Sequence, residues 1–212
     1  MIAAALAAAV ICLDPGHGTA PAVGAQVEPI GPGSTVTKIK DGGGAAGEAP
    51  LALDLARKTR ALLVARGYRV VMTRTAAGYR GGNVDRARFC NAEHAALMLR
   101  IHADASTDPA RHGVSTLAPA RRPGWTDDVY AASARAAKLV QAAVVHATGA
   151  VDDGVLERAD LTGFNWADVP VVLVETGFLS NPAERRLLGR QAYRRKLAQG
   201  LADGAAAFAG PA

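Results

Sequence analysis

Short apolar runs alternate along the chain with longer stretches in which apolar residues recur at helical spacing. Five runs have the length and flanking turn residues typical of buried strands: residues 10–14, 69–73, 95–102, 114–118 and 168–175. Helical spacing covers residues 48–66, 83–94, 127–148 and 193–208, and a further helical turn opens at Pro182. This alternation predicts an α/β fold: a single three-layer domain whose mostly parallel central sheet carries helices on both faces.

The length of the chain fits one domain better than two. It has 212 residues, 50% of them hydrophobic, which is enough to bury a full core. Residues 10–212 form this domain, without an internal repeat or linker. Residues 1–9 are apolar but lack the positive charges of a signal peptide. They are either the remnant of a signal segment or the lead into the first strand. No window approaches ~18 uninterrupted apolar residues, so we expect no transmembrane segment.

The segment at residues 19–47 is rich in glycine, proline and threonine and has no helical periodicity. It predicts a long loop, and long loops in compact domains are often functional.

The formal net charge is +5, and the cations are spread along the chain without a block of the kind that marks a nucleic-acid-binding tail. We therefore expect no nucleic-acid partner. A diffuse anionic partner and the background of an arginine-rich proteome explain the charge equally well.

The two cysteines, Cys12 and Cys90, cannot by themselves form a tetrahedral zinc site. Their neighbours resemble packing positions in a strand and a helix, for which a buried free thiol is the commoner explanation. A disulfide is chemically permitted if the protein is exported. The sequence leaves both states open.

Polar residues stand at the carboxyl ends of several predicted strands. In open α/β sheets, ligands bind at this edge of the sheet. His17, His102 and Glu175 stand there, and Glu48 opens the first helix at the same edge. Two histidines and a carboxylate are a known catalytic zinc set that leaves one position for water, whose pKa the metal lowers toward ~7. A further carboxylate, Glu175 in this interpretation, would accept the proton of that water and pass it to a leaving amine.

Each of these residues also has a structural explanation. Histidines at strand ends are frequently capped structural residues, and Glu48 alone would be a carboxylate favoured by the helix dipole. Glu175 is harder to dismiss, since a carboxylate at the end of a buried strand needs a partner. The remaining histidines lie outside these motifs and are not expected to be ligands: His94, His112 and His146.

Four motifs occur in order along the chain. They read Cys-Leu-Asp-Pro-Gly-His-Gly at residues 12–18, Glu48 followed by Arg-Val-Val-Met-Thr-Arg at 69–74, Arg-Ile-His-Ala-Asp-Ala at 100–105, and Val-Glu-Thr-Gly-Phe-Leu-Ser-Asn at 174–181. Together they resemble the zinc-dependent N-acetylmuramoyl-L-alanine amidases of the amidase 3 type, over nearly the whole chain.

The resemblance implies a peptidoglycan hydrolase that cuts the amide between the lactyl group of N-acetylmuramic acid and the L-alanine of the stem peptide. It implies one Zn²⁺ per chain at His17, Glu48 and His102, with Glu175 as the essential proton carrier. The substrate would be peptidoglycan or a muropeptide, and the enzyme an exported monomer of the cell envelope.

A segment before the last strand, residues 158–166, resembles the actinobacterial members most. There Asp160 and Asn165 are candidate substrate contacts, although both residue types also form turns. Arg74 is a third candidate. It and Arg86 could pair with metal-site carboxylates or with a substrate carboxylate, and salt bridges that stabilise the fold are the alternative.

Two other functions are compatible with the same residues. One is a peptidoglycan-binding module that keeps the fold without turnover, against which the presence of Glu175 argues. The other is a different zinc amidohydrolase, but the His-Glu-x-x-His helix typical of many such enzymes is absent from the sequence.

Overall fold

The computed structural model describes residues 8–18 and 24–212, and all structural statements below concern these residues. Eight strands and six helices are described, in the following order: β1 (Val10–Pro15), β2 (Val27–Pro29), β3 (Thr37–Ile39), α1 (Glu48–Ala65), β4 (Arg69–Met72), α2 (Asn83–Ala92), β5 (Leu97–Asp104), β6 (Val114–Pro119), α3 (Tyr130–Thr148), β7 (Asp152–Arg158), α4 (Thr162–Asn165), β8 (Val171–Phe178), α5 (Pro182–Leu188) and α6 (Gln191–Ala209).

Six strands form the central sheet in the order β4-β1-β5-β8-β6-β7. The first four of these run parallel, as predicted, whereas β6 runs antiparallel to β8 and parallel to β7. The chain leaves β1 toward β4 on one side and returns to β5 on the other. The connections thus diverge between β1 and β5, and such a point opens a crevice at the carboxyl ends of the strands.

Helices cover both faces of the sheet, which confirms the three-layer prediction. Alternating side chains of β5 divide between the layers: Leu97, Leu99 and Ile101 pack with α1, α3 and α6, and Met98 packs toward α2 and α4. The longer helices α1, α3 and α6 lie on one face of the sheet, and α2 and α4 lie on the other. On the first face, α3 and α6 pack closely against each other. There Gly200 and Gly204 of α6 leave no room for a side-chain carbon against the backbone of α3.

The structure differs from the sequence prediction mainly in its polar elements. Strand β7, with the sequence Asp-Asp-Gly-Val-Leu-Glu-Arg, was not predicted because it lies at the sheet edge and has little apolar patterning. Strands β5 and β8 extend beyond the predicted ends. His102 and Glu175 therefore lie two and three residues before the ends of these strands, rather than at their last positions.

The predicted long loop contains an antiparallel hairpin, β2 with β3. Residues 19–23 of that loop lie outside the described part of the chain. The hairpin is fixed by Glu28, whose buried carboxylate accepts hydrogen bonds from the backbone N–H groups of Asn83 (2.8 Å) and Val84 (3.0 Å) at the start of α2. A carboxylate is favoured at a helix N-terminus by the unpaired N–H groups and the helix dipole.

Of the N-terminal residues 1–9, only residues 8 and 9 are described, directly ahead of β1. Both interpretations of that segment therefore concern residues outside the described part of the chain. No helix among the described residues is long and apolar enough to cross a bilayer.

A buried charge cluster joins the carboxyl end of β1 to its neighbours. The carboxylate of Asp14 is completely buried and accepts hydrogen bonds from Arg86 of α2 (2.6 Å), Arg100 of β5 (2.7 Å) and the hydroxyl of Thr73 (2.6 Å). Burial alone would raise the pKa of Asp14, but the two guanidinium groups outweigh it and hold the pKa below its usual range. Arg86 therefore forms a salt bridge that stabilises the fold.

The cysteines form a disulfide, Cys12 with Cys90, across 78 positions of sequence. The commoner explanation, two buried free thiols, is wrong for this structure. The bond joins the central strand β1 to α2, on the same face as the Asp14 cluster. Two isolated cysteines could not reveal this pairing, because it depends on how α2 packs across β1.

We expect protein denatured without reductant to contain no free thiol and reduced protein to contain two. Reduction releases a loop of 78 residues, and loops of this size are associated with a loss of about 4 kcal/mol of stability. Thiol titration in guanidinium chloride and thermal unfolding with and without reductant measure both effects. Two reactive thiols in unreduced protein would contradict the bridge.

The Asp14→Asn substitution should lower the free energy of unfolding by about 3–5 kcal/mol, because it leaves two buried guanidinium groups without a counter-charge. Thr73→Val is the matched control, since it removes one hydrogen bond to the Asp14 carboxylate but leaves both guanidinium groups paired, and should cost only about 1.5–3 kcal/mol. Urea unfolding followed by circular dichroism compares the two variants. Equal losses would show that the charge of Asp14 is not what matters.

Candidate metal centre and active cleft

His17 lies on a turn directly after β1, with a positive φ of 54° that non-glycine residues rarely adopt. Two buried arginines hold this turn. Arg86 donates to the carbonyls of Pro15 (2.7 Å) and His17 (2.8 Å), and Arg74 donates to those of Pro15 (3.0 Å) and Gly16 (2.8 Å). The backbone that presents His17 is thus fixed from two sides.

Glu48 is the first residue of α1 and is buried despite its charge. Its Oε2 accepts a hydrogen bond from the N–H of Ala45 (2.8 Å). Its Oε1 lies 2.9 Å from Nδ1 of His102 and 3.2 Å from Nε2 of His17. The helix start therefore brings one carboxylate oxygen between the two histidines.

His102 and Glu175 are direct neighbours across the parallel strands β5 and β8. Both are largely buried, and the structure gives no hydrogen-bond partner to His102 Nε2 or Glu175 Oε2 among the described residues. Buried polar atoms are normally paired, so two unpaired atoms on adjacent strands indicate a site built for another group.

The three expected ligand residues fit a metal ion. One donor atom from each of His17, Glu48 and His102 can be chosen so that all lie within 4.8 Å of one another. Two imidazoles and a carboxylate match the donor set of catalytic zinc sites, and the unpaired Nε2 of His102 is consistent with a missing partner.

Two glycines allow the close packing of this centre. A side-chain carbon at Gly16 would lie 2.4 Å from the ring of His102, and one at Gly44 would lie 2.5 Å from both Glu48 and the ring of His17. Gly44 also has a positive φ of 66°, which suits glycine. Any larger residue at either position would displace a candidate ligand.

Asp41, which follows the hairpin, is a site residue that the sequence prediction missed. Its Oδ1 lies 2.7 Å from Nδ1 of His17, and the N–H of Gly43 donates to the same oxygen (2.9 Å). Histidines that bind metals usually donate their other ring N–H to such a carboxylate, which fixes the ring orientation. The only signal in the sequence was the aspartate before a run of three glycines, which predicts no more than a turn.

The charges of the centre shift its pKa values in opposite directions. Burial lowers the pKa of His102, and in His17 the contacts with Asp41 and Glu48 outweigh burial and raise the pKa to about 9. Burial would raise the pKa of Glu48, but hydrogen bonds with both histidines lower it. Glu175 has no such partner, so burial, with the nearby charge of Glu48, raises its pKa well above 4.5.

An open cleft of about 400 Å³ gives access to this centre. The candidate ligands and Glu175 line it together, along with Asp104 and the backbone around Ala45. Glu175, whose pKa is raised, thus faces the same cleft as the candidate metal ligands. A group that exchanges protons with a molecule bound in the cleft needs this position.

The structure does not bring the three predicted substrate contacts into this cleft as free groups. Arg74 is buried, and its guanidinium donates to four backbone carbonyls, so a substrate carboxylate could not reach it without displacing them. Asn165 is buried and donates to the carbonyl of Ile30 in the hairpin (2.9 Å). Asp160 pairs with Arg158 and with Lys38 of the hairpin. Asn165 and Asp160 therefore hold the hairpin in place, and their contact with substrate stays a prediction.

Three further histidines lie outside the candidate metal cluster found among the described residues: His94, His112 and His146.

Comparison with known proteins gives consistent matches. The family model described as N-acetylmuramoyl-L-alanine amidase matches residues 11–207. The chain is 30% identical over 211 residues to the N-acetylmuramoyl-L-alanine amidase Rv3717 of Mycobacterium tuberculosis, which covers 96% of this chain and 87% of that protein. It is also 30% identical over 232 residues to the amidase AmiC of Neisseria meningitidis, with 92% of this chain matched but only 51% of AmiC. The chain thus spans about half the length of AmiC.

Among solved structures, the N-acetylmuramyl-L-alanine amidase Ami1 of Mycobacterium smegmatis is similar with a TM-score of 0.86 at 28% identity, covering 95% of this chain and 97% of that chain. Ami1 of Mycobacterium abscessus gives the same TM-score at 26% identity. These mycobacterial matches fit the expected similarity to actinobacterial proteins.

Proposed function

Because the chain belongs to the N-acetylmuramoyl-L-alanine amidase family, we propose that it hydrolyses the amide between the lactyl group of N-acetylmuramic acid and the L-alanine of the stem peptide. The observation that carries this proposal is the shared cleft of His17, Glu48, His102 and Glu175. Three of these residues offer metal donors and the fourth is a buried carboxylate with a raised pKa.

In this proposal His17, Glu48 and His102 hold one Zn²⁺. A zinc ion there would supply a Lewis acid that polarises the substrate carbonyl and lowers the pKa of nearby water toward ~7. Asp41 fixes the ring of His17 through Nδ1, which leaves Nε2 of His17 directed toward Glu48 as the metal donor.

Glu175 moves the proton in the reaction. It accepts a proton from the attacking water and donates it to the nitrogen of L-alanine as the C–N bond breaks, so that the amine leaves in neutral form. The raised pKa of Glu175 makes its carboxylate a stronger base toward the attacking water than an ordinary glutamate. A non-catalytic binding module of the same fold would have no use for this residue.

We further propose that the enzyme acts outside the cytoplasm as a monomer. The Cys12–Cys90 disulfide supports this location, since such bonds persist mainly in oxidising compartments. All candidate ligands and Glu175 come from a single chain. A second copy is therefore not required to complete the cleft.

Removal of the charge of Asp41 should weaken zinc binding. We expect Asp41→Asn to raise the dissociation constant for Zn²⁺ roughly 10–100-fold, because the His17 ring loses the carboxylate that orients it. His17→Ala should weaken binding further. The controls are Asp128→Asn for Asp41→Asn and His146→Ala for His17→Ala. Both control residues are exposed and lie outside the candidate metal cluster. Competition with a chromophoric chelator measures the constants, and equal affinity for Asp41→Asn and the parent would rule out the role of Asp41.

Loss of Glu175 should abolish turnover while zinc stays bound. We expect Glu175→Ala and Glu175→Gln to lower kcat by roughly 10²–10⁴-fold, the usual contribution of a positioned acid or base. Glu93→Gln is the control. Mass spectrometry of digests of purified peptidoglycan detects the products, and metal analysis confirms loading.

The proposal requires intact glycan strands and peptides with a free L-alanine amino group as products. Cleavage between stem-peptide residues would contradict the amidase reaction, and undiminished turnover in Glu175→Ala would contradict the role of this residue.

A further inference from the structure

The positive charge of the chain is concentrated in one short segment, contrary to the even spread expected from the sequence. Residues 182–196 contain six arginines and lysines and one glutamate, out of 24 and 19 in the whole chain. The other residues therefore contain 18 of each sign and are neutral overall. The entire net charge of +5 resides in α5 and the start of α6.

Most of these cations face solvent without a counter-charge. Five are exposed and have no ion pair or side-chain hydrogen bond among the described residues: Arg185, Arg186, Arg190, Arg195 and Lys196. We call them the α5–α6 basic surface. The sixth, Arg194, is half-buried and donates to Asp54 and to the carbonyl of Leu188.

The nearby acidic groups are already engaged elsewhere. Glu184, the acid of the segment, points its carboxylate inward to the N–H groups of Phe178 (2.6 Å) and Gly113 (2.9 Å). Asp203, farther along α6, pairs with Arg66. Unpaired like charges repel one another, so an anion that binds against these five cations lowers their electrostatic energy.

The α5–α6 basic surface follows the cleft closely along the chain, which indicates that the molecule bound in the cleft is also the partner of this surface. Helix α5 begins four residues after the end of β8, the strand that contains Glu175. The short segment before α5 is tied to the loops around the cleft. Asn181 donates to the carbonyl of Pro109, and the N–H of Leu179 donates to the carbonyl of Asp104, a residue that lines the cleft. The strand that carries Glu175 thus leads directly into α5, and the segment between them is bonded to the loops beside the cleft.

We propose that the α5–α6 basic surface binds the free peptide carboxylates of polymeric peptidoglycan, next to the stem being cut. This inference rests on the proposed function. The carboxylates of neighbouring stems repeat along the polymer, so several of them are available to a surface that carries five cations. A single soluble muropeptide offers only the carboxylates of its own stem, so the surface favours the polymer over the fragment.

The test compares two variants with equal loss of charge. Arg185→Gln/Arg186→Gln/Arg190→Gln removes three cations of the surface, and Arg60→Gln/Arg121→Gln/Lys138→Gln removes three exposed cations elsewhere. Both are made in the Glu175→Ala background, and binding is measured by co-sedimentation with sacculi stripped of phosphodiester polymers. We expect about a tenfold loss of affinity for the surface variant alone, in line with the effect of local charge on association. Equal losses would overturn the proposal.

Chemical neutralisation of the sacculus identifies the partner. Amidation of the peptide carboxylates with a carbodiimide and ammonia should reduce binding of the parent protein to the level of the surface variant. Unchanged binding to amidated sacculi would overturn the proposal. So would a surface variant that loses binding to vesicles of anionic phospholipid but not to sacculi, because the partner would then be a membrane.

Turnover separates this proposal from the proposed function. With Glu175 intact, the ratio of turnover on sacculi to turnover on a soluble muropeptide should fall about tenfold in the surface variant and stay constant in the variant with scattered substitutions. A protein with no turnover on either substrate would contradict the amidase function but leave the sedimentation result interpretable. A constant ratio in the surface variant would overturn the preference for polymer.

Discussion

The arrangement of the active cleft depends on the buried carboxylate of Asp14 and the arginines around it. Three separate segments meet there, because Arg86 comes from α2, Arg100 from β5 and the carboxylate from β1. A buried charge without a partner is strongly unfavourable, so none of the three can shift without the others. Arg86 uses the same guanidinium to hold the carbonyls that lead to His17. The salt bridge that stabilises the fold thus also places a candidate ligand.

A second buried arginine extends this constraint to α1. Arg74 contacts the carbonyls of the turn before His17 and also that of Ala49, the residue after Glu48 (2.7 Å). His17 and Glu48 are 31 positions apart in sequence, yet one side chain fixes the backbone beside both. Their relative position is therefore set by the protein itself and does not require a bound metal to assemble it.

Much of the site could be predicted from the sequence because it follows from topology. His17, His102 and Glu175 lie near the carboxyl ends of parallel strands, and apolar patterning identifies those strands. The pattern could not identify Asp41, because the hairpin before it has too little apolar periodicity and is held by single contacts such as that of Glu28 with α2. It also could not identify the disulfide or the role of Asn165, since both depend on how distant segments pack.

The charge distribution was misread for a different reason. Arginines occur throughout the chain, so the cations seem evenly spread when acids are not counted beside them. In the structure, eight of the 18 cations outside residues 182–196 form ion pairs, as Arg69 does with Glu93. Within residues 182–196, all of which are described, only Arg194 does so, one of six. Only the ion pairs of the folded structure show which cations remain available to bind an anionic partner.

Several energetically unfavourable features lie at the cleft. The positive φ of His17 and the unpaired atoms of His102 and Glu175 each raise the free energy of the folded state, as does the repulsion between Glu175 and Glu48. The Asp14 cluster, the disulfide and the packing of α3 on α6 offset them at a distance. In structural zinc domains the free energy of metal binding drives folding. Here the candidate donors are held by the protein's own contacts, so binding of a metal would not have to supply the free energy of folding.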